Sequence, residues 1–246
     1  MKKVFTLLFL LVSLFSNAQI RRIDTTYTNN KRIPPAQYHS QTLYSYTVGF
    51  KIFSLEEFPK ILNQVHTNDY VRSYVNGIML KYNDNQISYR MSGSFFSDNI
   101  SFKNECEECE LAKGKVVDNA VKIGFEKNFI YAAVQPYFGI DLGFRRNTFD
   151  GTVNDAGALD YTTGYDANTT KNSLSFSPVF GIKLNLVNHF TLAAETGLDL
   201  LYSYERQEKT LYDNSRTRLF SKFNKWEFLL KPVSILSLQY NFGVSY

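Results

Sequence analysis

The chain has 246 residues, 44% of them hydrophobic and 16% aromatic, and a formal net charge of +4 that falls to +2 once Lys2 and Lys3 are removed. So small a charge excludes a nucleic-acid reading built on basicity. A mean hydropathy of −0.26 excludes a helical membrane protein, while 21 Phe and 17 Tyr are many for a single soluble domain.

In chain order, MKKVFTLLFLLVSLFSNAQ comes first. Lys2 and Lys3 precede an apolar run from Val4 to Phe15, followed by the small residues Ser16 and Ala18. This is the layout of a secretory signal peptide, residues 1–18, with cleavage expected after Ala18. The run is shorter than the ~18 residues a membrane helix needs, and no later stretch approaches that length. Residues 19–42 read as a periplasmic extension and 43–246 as one all-β domain.

Eight alternating segments follow, each with apolar residues on one parity and polar ones on the other, the period-two signature of a strand between two different media. The first is 44–52, with Tyr44, Tyr46, Val48, Phe50 and Ile52 on the apolar side. A long link, 53–73, holds SLEEFPKILNQV, where Ser54 and Glu57 have capping-box spacing and Phe58, Ile61, Leu62 and Val65 share a helical face, so a short helix is expected. Segments 74–82 and 86–95 are joined by Asn83, Asp84 and Asn85, a turn composition. The long link 96–115 leads to 116–125, then a short turn at 126–131 to 133–144, whose apolar parity is Val134, Pro136, Phe138, Ile140, Leu142 and Phe144. A third long link, 145–173, precedes 175–186, where Phe176, Pro178, Phe180, Ile182, Leu184 and Leu186 form the apolar side. The turn 187–189 opens 190–204, and the long link 205–224 opens the last segment, from Lys225 to Phe242. Pro136, Pro178 and Pro232 fall inside strands, so each is expected at a bulge or near a rim.

Long and short links alternate strictly, and several segments reach the ~10 residues a tilted strand needs to cross a bilayer. The polar parity carries charge of both signs, the apolar parity almost none, and aromatics such as Tyr46, Tyr82, Tyr240, Phe96, Tyr202 and Trp226 gather toward the segment ends. These features predict an eight-stranded antiparallel up-and-down transmembrane β-barrel with lipid outside, polar groups inside and both termini in the periplasm. A soluble barrel of lipocalin type has the same strand count but buries its apolar face.

At the C-terminus Leu238, Tyr240, Phe242, Val244 and Tyr246 alternate with Gln239, Asn241, Gly243 and Ser245. With that ending and the link pattern, residues 43–246 resemble the small outer-membrane barrels of the OmpA-transmembrane and OmpX kind, including PorT-like members. The resemblance implies a Gram-negative outer membrane, contact with its lipid and lipopolysaccharide, and an assembly signal at Tyr240, Phe242 and Tyr246 read by the barrel-assembly machinery. Its PorT-like side implies an accessory part in a secretion or assembly machine, acting with periplasmic or surface partners.

Candidate chemistry is sparse. Interior charges Arg90, Lys122, Asp141, Glu195, Asp199 and Lys231 are expected to pair and plug the lumen, because eight strands leave room only for side chains. Cys106 and Cys109 suit a local disulfide; a metal site with Glu105, Glu107, Glu108 or Glu110, or a reactive thiol pair, are the alternatives. His39, His66 and His189 lie away from any matching Ser and acid, so no catalytic triad is read. Asp150, Asp155, Asp160 and Asp166 of the third link lack calcium-loop spacing, and the basic fourth link, with Arg206, Lys209, Arg216, Arg218 and Lys222, is solvated or faces lipopolysaccharide phosphates. The expected role is non-enzymatic and cofactor-free, structural or surface-binding through the loops. The secretion accessory is the alternative, and a lipid-active enzyme the third class.

Overall fold

The computed structural model describes residues 44–62, 70–84, 86–103, 110–130, 132–155, 164–187, 189–212 and 216–244. The signal peptide, the 19–42 extension, Cys106, Cys109 and Tyr246 lie outside them. Eight strands are present: β1 (Tyr44–Glu57), β2 (Tyr70–Asp84), β3 (Ile87–Lys103), β4 (Glu110–Asn128), β5 (Val134–Asp155), β6 (Gly164–Val187), β7 (Phe190–Leu211) and β8 (Arg218–Val244). Each pairs antiparallel with its chain neighbours, and β1 also pairs with β8, so one sheet closes into a ring. Among the described residues there is no helix.

Alternation sets inside from outside. Along β6, Ser173, Ser175, Ser177, Val179 and Lys183 are buried in the ring, whereas Leu174, Phe176, Phe180, Ile182 and Leu184 project outward and stay exposed. The same division holds from Val134 to Phe144 on β5 and from Phe190 to Tyr204 on β7, where buried Asp141, Glu195 and Asp199 back onto exposed Leu142, Phe144 and Leu198. The ring therefore has a greasy exterior and an ionic interior over its turn-side half.

Beyond that half the strands run on, which corrects the four long links. The connections shrink to 58–69, 104–109, 156–163 and 212–217, because β4 through β8 each reach 19 to 27 residues. The alternation never stops there; its polarity changes sides. Ala112, Val116, Phe149, Val153, Tyr165 and Ala167 now point inward and are buried, while Lys113, Lys115, Asp150, Asp166 and Asn168 point outward into solvent. Asp150, Asp166, Arg206 and Lys222 are consequently strand residues and not loop residues. A search for continued outward greasiness ends the strands too early, since beyond that half the outward side chains turn polar and apolar ones join the interior.

Of the helix expected over 54–65, the described residues 54–62 form none. Residues 54–57 complete β1, with Ser54 and Ser73 hydroxyls 2.6 Å apart, and Phe58–Leu62 turns into the ring. Ile61 and Leu62 are buried in the apolar cluster of Phe102, Val116, Phe149 and Val153, which lacks a centre without them; Val65 lies outside the described residues. Tertiary burial thus outweighs local helical spacing. Lys171 donates to the Lys60 carbonyl at 2.8 Å, and the Leu62 amide donates to Glu205 at 3.1 Å, fixing the inward segment to the wall. Phe96, expected at an outer rim, instead faces inward and packs on Phe58 with ring centroids 6.2 Å apart.

The prolines follow the same logic. Pro136 is the third residue of β5, at the turn-side rim. Pro178 stands where the β6–β7 ladder is interrupted between Phe176 and Val179, and Pro232 lies in the bulge of β8 opposite the Glu195–Gly197 step. Each missing amide falls where no ladder bond is demanded or at the edge of one. Removing a ring from the apolar cluster tests its weight: Phe149→Ala is expected to lower stability by about 3–5 kcal/mol, read as a lower urea midpoint for loss of the β-sheet circular dichroism signal.

Candidate functional site

The ring interior holds the densest chemistry in the molecule. Arg90, from β3, grips Asp141 of β5 with two parallel bonds, Nε to Oδ1 at 2.8 Å and Nη2 to Oδ2 at 2.7 Å. Its third nitrogen reaches Glu195 of β7 at 2.7 Å and Glu126 of β4 at 3.2 Å, so one guanidinium joins three carboxylates across the lumen. Only the planar fork of an arginine fits that geometry. Glu126 in turn accepts from Lys81 of β2 at 2.9 and 2.8 Å and from Lys183 of β6. The Tyr137 hydroxyl donates to Glu195 at 2.7 Å, its ring lying against Gly181, where an added Cβ would come within 2.4 Å of Tyr137 Cζ. Gly181 is therefore the slot that lets Tyr137 lie flat across the lumen.

A second cluster stacks above it. Lys122 donates to Asp199 and to the Ser177 hydroxyl, both at 2.8 Å, and Lys231 bridges Asp199 and Glu56, each at 2.7 Å. Lys51 also pairs with Glu56, and Arg145 holds Asp118 through Nε at 2.9 Å and Nη2 at 2.7 Å. Higher still, Lys171 pairs with Glu227, and Lys225 lies 3.4 Å from Glu205. All six interior charges singled out from the sequence are thus brought inside, three to each of the two lower clusters. Glu56, Arg145, Lys171 and Glu205 were missed as interior groups because they lie in stretches read as loops. Their signal was parity: Arg145 continues the inward series Tyr137, Asp141 of β5.

Other features lie on the outer surface. Tyr240 and Phe242 face outward at the turn-side rim, 6.1 Å apart with planes at 18°, and Phe242 stacks on Tyr46 at 5.7 Å. His189, in the β6–β7 turn, stacks on Tyr240 at 5.7 Å and touches the Asn241 carbonyl through Nδ1 at 2.8 Å. The last strand reaches Val244, paired with Tyr44. At the opposite end Arg206 and Lys222 sit directly opposite each other on the outer face, with Arg146 exposed on β5. There the Tyr212 hydroxyl donates to Asp166 at 2.7 Å, a bond that pushes the phenol above its ordinary value. Among the described residues no group of His, Cys, Asp and Glu is arranged to hold a metal ion.

Comparison with family models, with curated proteins and with solved structures finds no match to this chain.

Chemically, the interior is a network of ion pairs. Glu126, Glu56 and Asp199 are each held by two or more cations and Asp141, Glu195 and Asp118 by one arginine apiece, so ion pairs fill the space between the strands. Removing one partner strands the others in a dry interior. Arg90→Met is therefore expected to cost about 3–5 kcal/mol in folding stability, and Arg90→Lys to recover only part of it, both measured as urea midpoints against the parent protein.

Proposed function

We propose that the chain is an integral outer-membrane β-barrel with a closed lumen, serving a non-enzymatic, structural or surface-binding role through the end bearing the long connections. The observation that carries this reading is the outward band of exposed large apolar side chains. Tyr74, Ile123, Leu142, Leu174, Trp226 and Phe228 are each more than half exposed, while polar and charged residues such as Ser73, Asp141, Ser173 and Glu227 next to them in sequence are buried. In water such a surface invites aggregation; against lipid it is the favourable arrangement.

The extent of the band supports it as well. At about 3.4 Å per residue and a tilt of about 40°, Val134–Phe144 rises about 26 Å, against an apolar belt of ~25 Å on outer-membrane barrels. Where the belt ends the polarity changes sides, as a wall leaving a bilayer for water requires. Aromatics crowd the lower edge at Tyr46, Tyr82, Phe190, Tyr240 and Phe242, and the upper edge at Tyr202, Tyr204 and Trp226, in the manner of interfacial girdles. Tyr240 and Phe242, outward at the rim, are placed for contact with an assembly factor. The opposed cations Arg206 and Lys222 just above the belt repel each other unless an anion lies between them, and lipopolysaccharide phosphate is such an anion.

Closure of the lumen rests on the ion-pair clusters and on Phe58–Leu62 above them. The interaction surface is accordingly the protruding wall of β4 to β8 with its outward Lys113, Asp150, Asp166 and Arg206.

Folded protein extracted in mild detergent should migrate differently on a gel before and after boiling. A processed chain that stays soluble without detergent overturns the reading. Leu198→Arg, near the middle of the outward band of β7, should destabilise by about 2–4 kcal/mol in lipid, whereas the same change on a water-exposed surface stays within about 0.5 kcal/mol. Reconstituted in planar bilayers, the protein should show no steady conductance.

A further inference from the structure

One ladder of the ring stops early. β2 and β3 pair from Asp84–Ile87 up to Gly77–Ser94, and among the described residues no pairing continues between 70–76 and 95–103. Over the same levels β2 remains paired with β1 and β3 with β4, so the wall parts between β2 and β3 alone. The parting begins at a bulge in β2, where Lys51 faces Gly77 but Phe53 faces Tyr74, and Val75 takes φ 46°. A β-branched residue in that region is strained, so the bulge is held by its surroundings and not by preference.

The open edge of β3 has a definite hydrogen-bond phase. The Asn128 amide donates to the Gln86 carbonyl at 3.0 Å, which fixes the lowest rung between β4 and the start of β3. Antiparallel rungs recur at every second residue, so the even-numbered residues of β3 bond β4 up to Phe102. The amides and carbonyls of Phe95, Ser97, Asn99 and Ser101 therefore point toward β2, where the ladder has ended. One of them has a substitute partner: the Asn99 amide donates to the Asp98 carboxylate at 2.8 Å. On the facing edge the Asn76 side-chain oxygen is buried and accepts no hydrogen bond. Among the described residues no backbone bond outside the ladders reaches 95–101.

The side chains are incomplete at the same place. Val116, Phe149 and Val153 of the apolar cluster are shut off from solvent, whereas Phe96 and Ile100 of β3, and Phe58 beside them, are only half-buried. Phe96 also lines a groove of about 720 Å³ that runs between Tyr74 and Val75 of β2 and Phe95 of β3. The core thus lies open on the flank where the ladder is missing.

A row of backbone donors and acceptors is satisfied by another such row; an acyl chain offers neither kind of group, and an ion meets only one of them. A second copy does not supply that row. Two barrels in one membrane are related by an axis along its normal, so both β3 edges climb and cross at about twice their ~40° tilt instead of lying side by side.

We propose that the open edge of β3 takes up an extended segment of another protein by strand addition, its side chains alternating apolar toward Phe96, Ile100 and Phe58 and polar alongside Ser97, Asn99 and Ser101. The proposal names a partner class for the surface-binding role argued above and rests on that reading. The incoming carbonyl displaces the Asp98 carboxylate from the Asn99 amide, and the incoming apolar side chains close the flank of the cluster.

The test uses the full-length protein in mild detergent and a fluorescent peptide of about nine residues alternating threonine and valine, matched to the open edge and flanked by lysines for solubility. Anisotropy should report binding, and amide hydrogen exchange at Ser97, Asn99 and Ser101 should slow by at least about tenfold when the peptide is present. The same peptide N-methylated at every residue keeps its side chains but loses its donors, and should bind at least about tenfold more weakly. Asn99→Pro should weaken binding of the unmodified peptide by a similar factor, and the strand tolerates it because that amide makes no bond to β4. If Asn99→Pro does not fold, the N-methylated peptide decides on the parent protein. Absence of binding, equal binding of the two peptides, unchanged exchange at the three amides, or undiminished binding by folded Asn99→Pro overturns the proposal. Heat-modifiable migration of the same samples separates the two readings, because intact migration without peptide binding refutes only the strand site.

Discussion

Closing eight strands into a ring encloses an interior about the width of packed side chains, and whatever points inward can be satisfied only by what else points inward. This constraint governs the molecule. Arg90 is its clearest expression: one guanidinium from β3 ties β4, β5 and β7 together through Glu126, Asp141 and Glu195. Each of those carboxylates would be costly in a dry interior by itself, and each becomes tolerable because Arg90 of β3, joined at Glu126 by Lys81 of β2 and Lys183 of β6, supplies its counter-charge. The network does not so much drive folding as specify which closed register is permitted, since a one-residue slip turns these charges outward.

The second consequence is a division of the wall into two zones of opposite polarity. Toward the turns the outside is apolar and the inside ionic; toward the long connections Val116, Phe149 and Val153 lie inside while Lys113, Lys115 and Asp150 lie outside. One backbone pattern serves both zones with the sign of the alternation reversed. The apolar zone needs a filler, and Phe58–Leu62 supplies it by turning in from the end of β1, with Leu62 at φ 57° and its amide on Glu205. The interior is thus lined by ion pairs toward the turns and by the apolar cluster around Ile61 and Leu62 toward the other end.

The parting of β2 from β3 relaxes the same constraint locally. Pairing there would need the bulge at Val75 removed; with it, β2 leans away and the ionic interior gains a side opening beside Arg145. Backbone strain at Val75 and a lost ladder occur there together.

The sequence by itself determined the strand number, the antiparallel order, which parity faces out between Val134 and Phe144 or between Phe176 and Leu186, and that Arg90, Lys122, Asp141, Glu195, Asp199 and Lys231 share the inner side, because a strand's period of two is written residue by residue. Partnership was not legible: that Arg90 meets Asp141, 51 residues on, or that Lys231 meets Glu56, depends on ring closure and stagger, which bring distant residues together without a local trace. Nor could the sequence reveal the strand ends beyond Phe144 or the inward turn of Ile61 and Leu62. There the polarity of the two faces reverses, and only the assembled ring decides whether an apolar side chain faces outward or joins a core within.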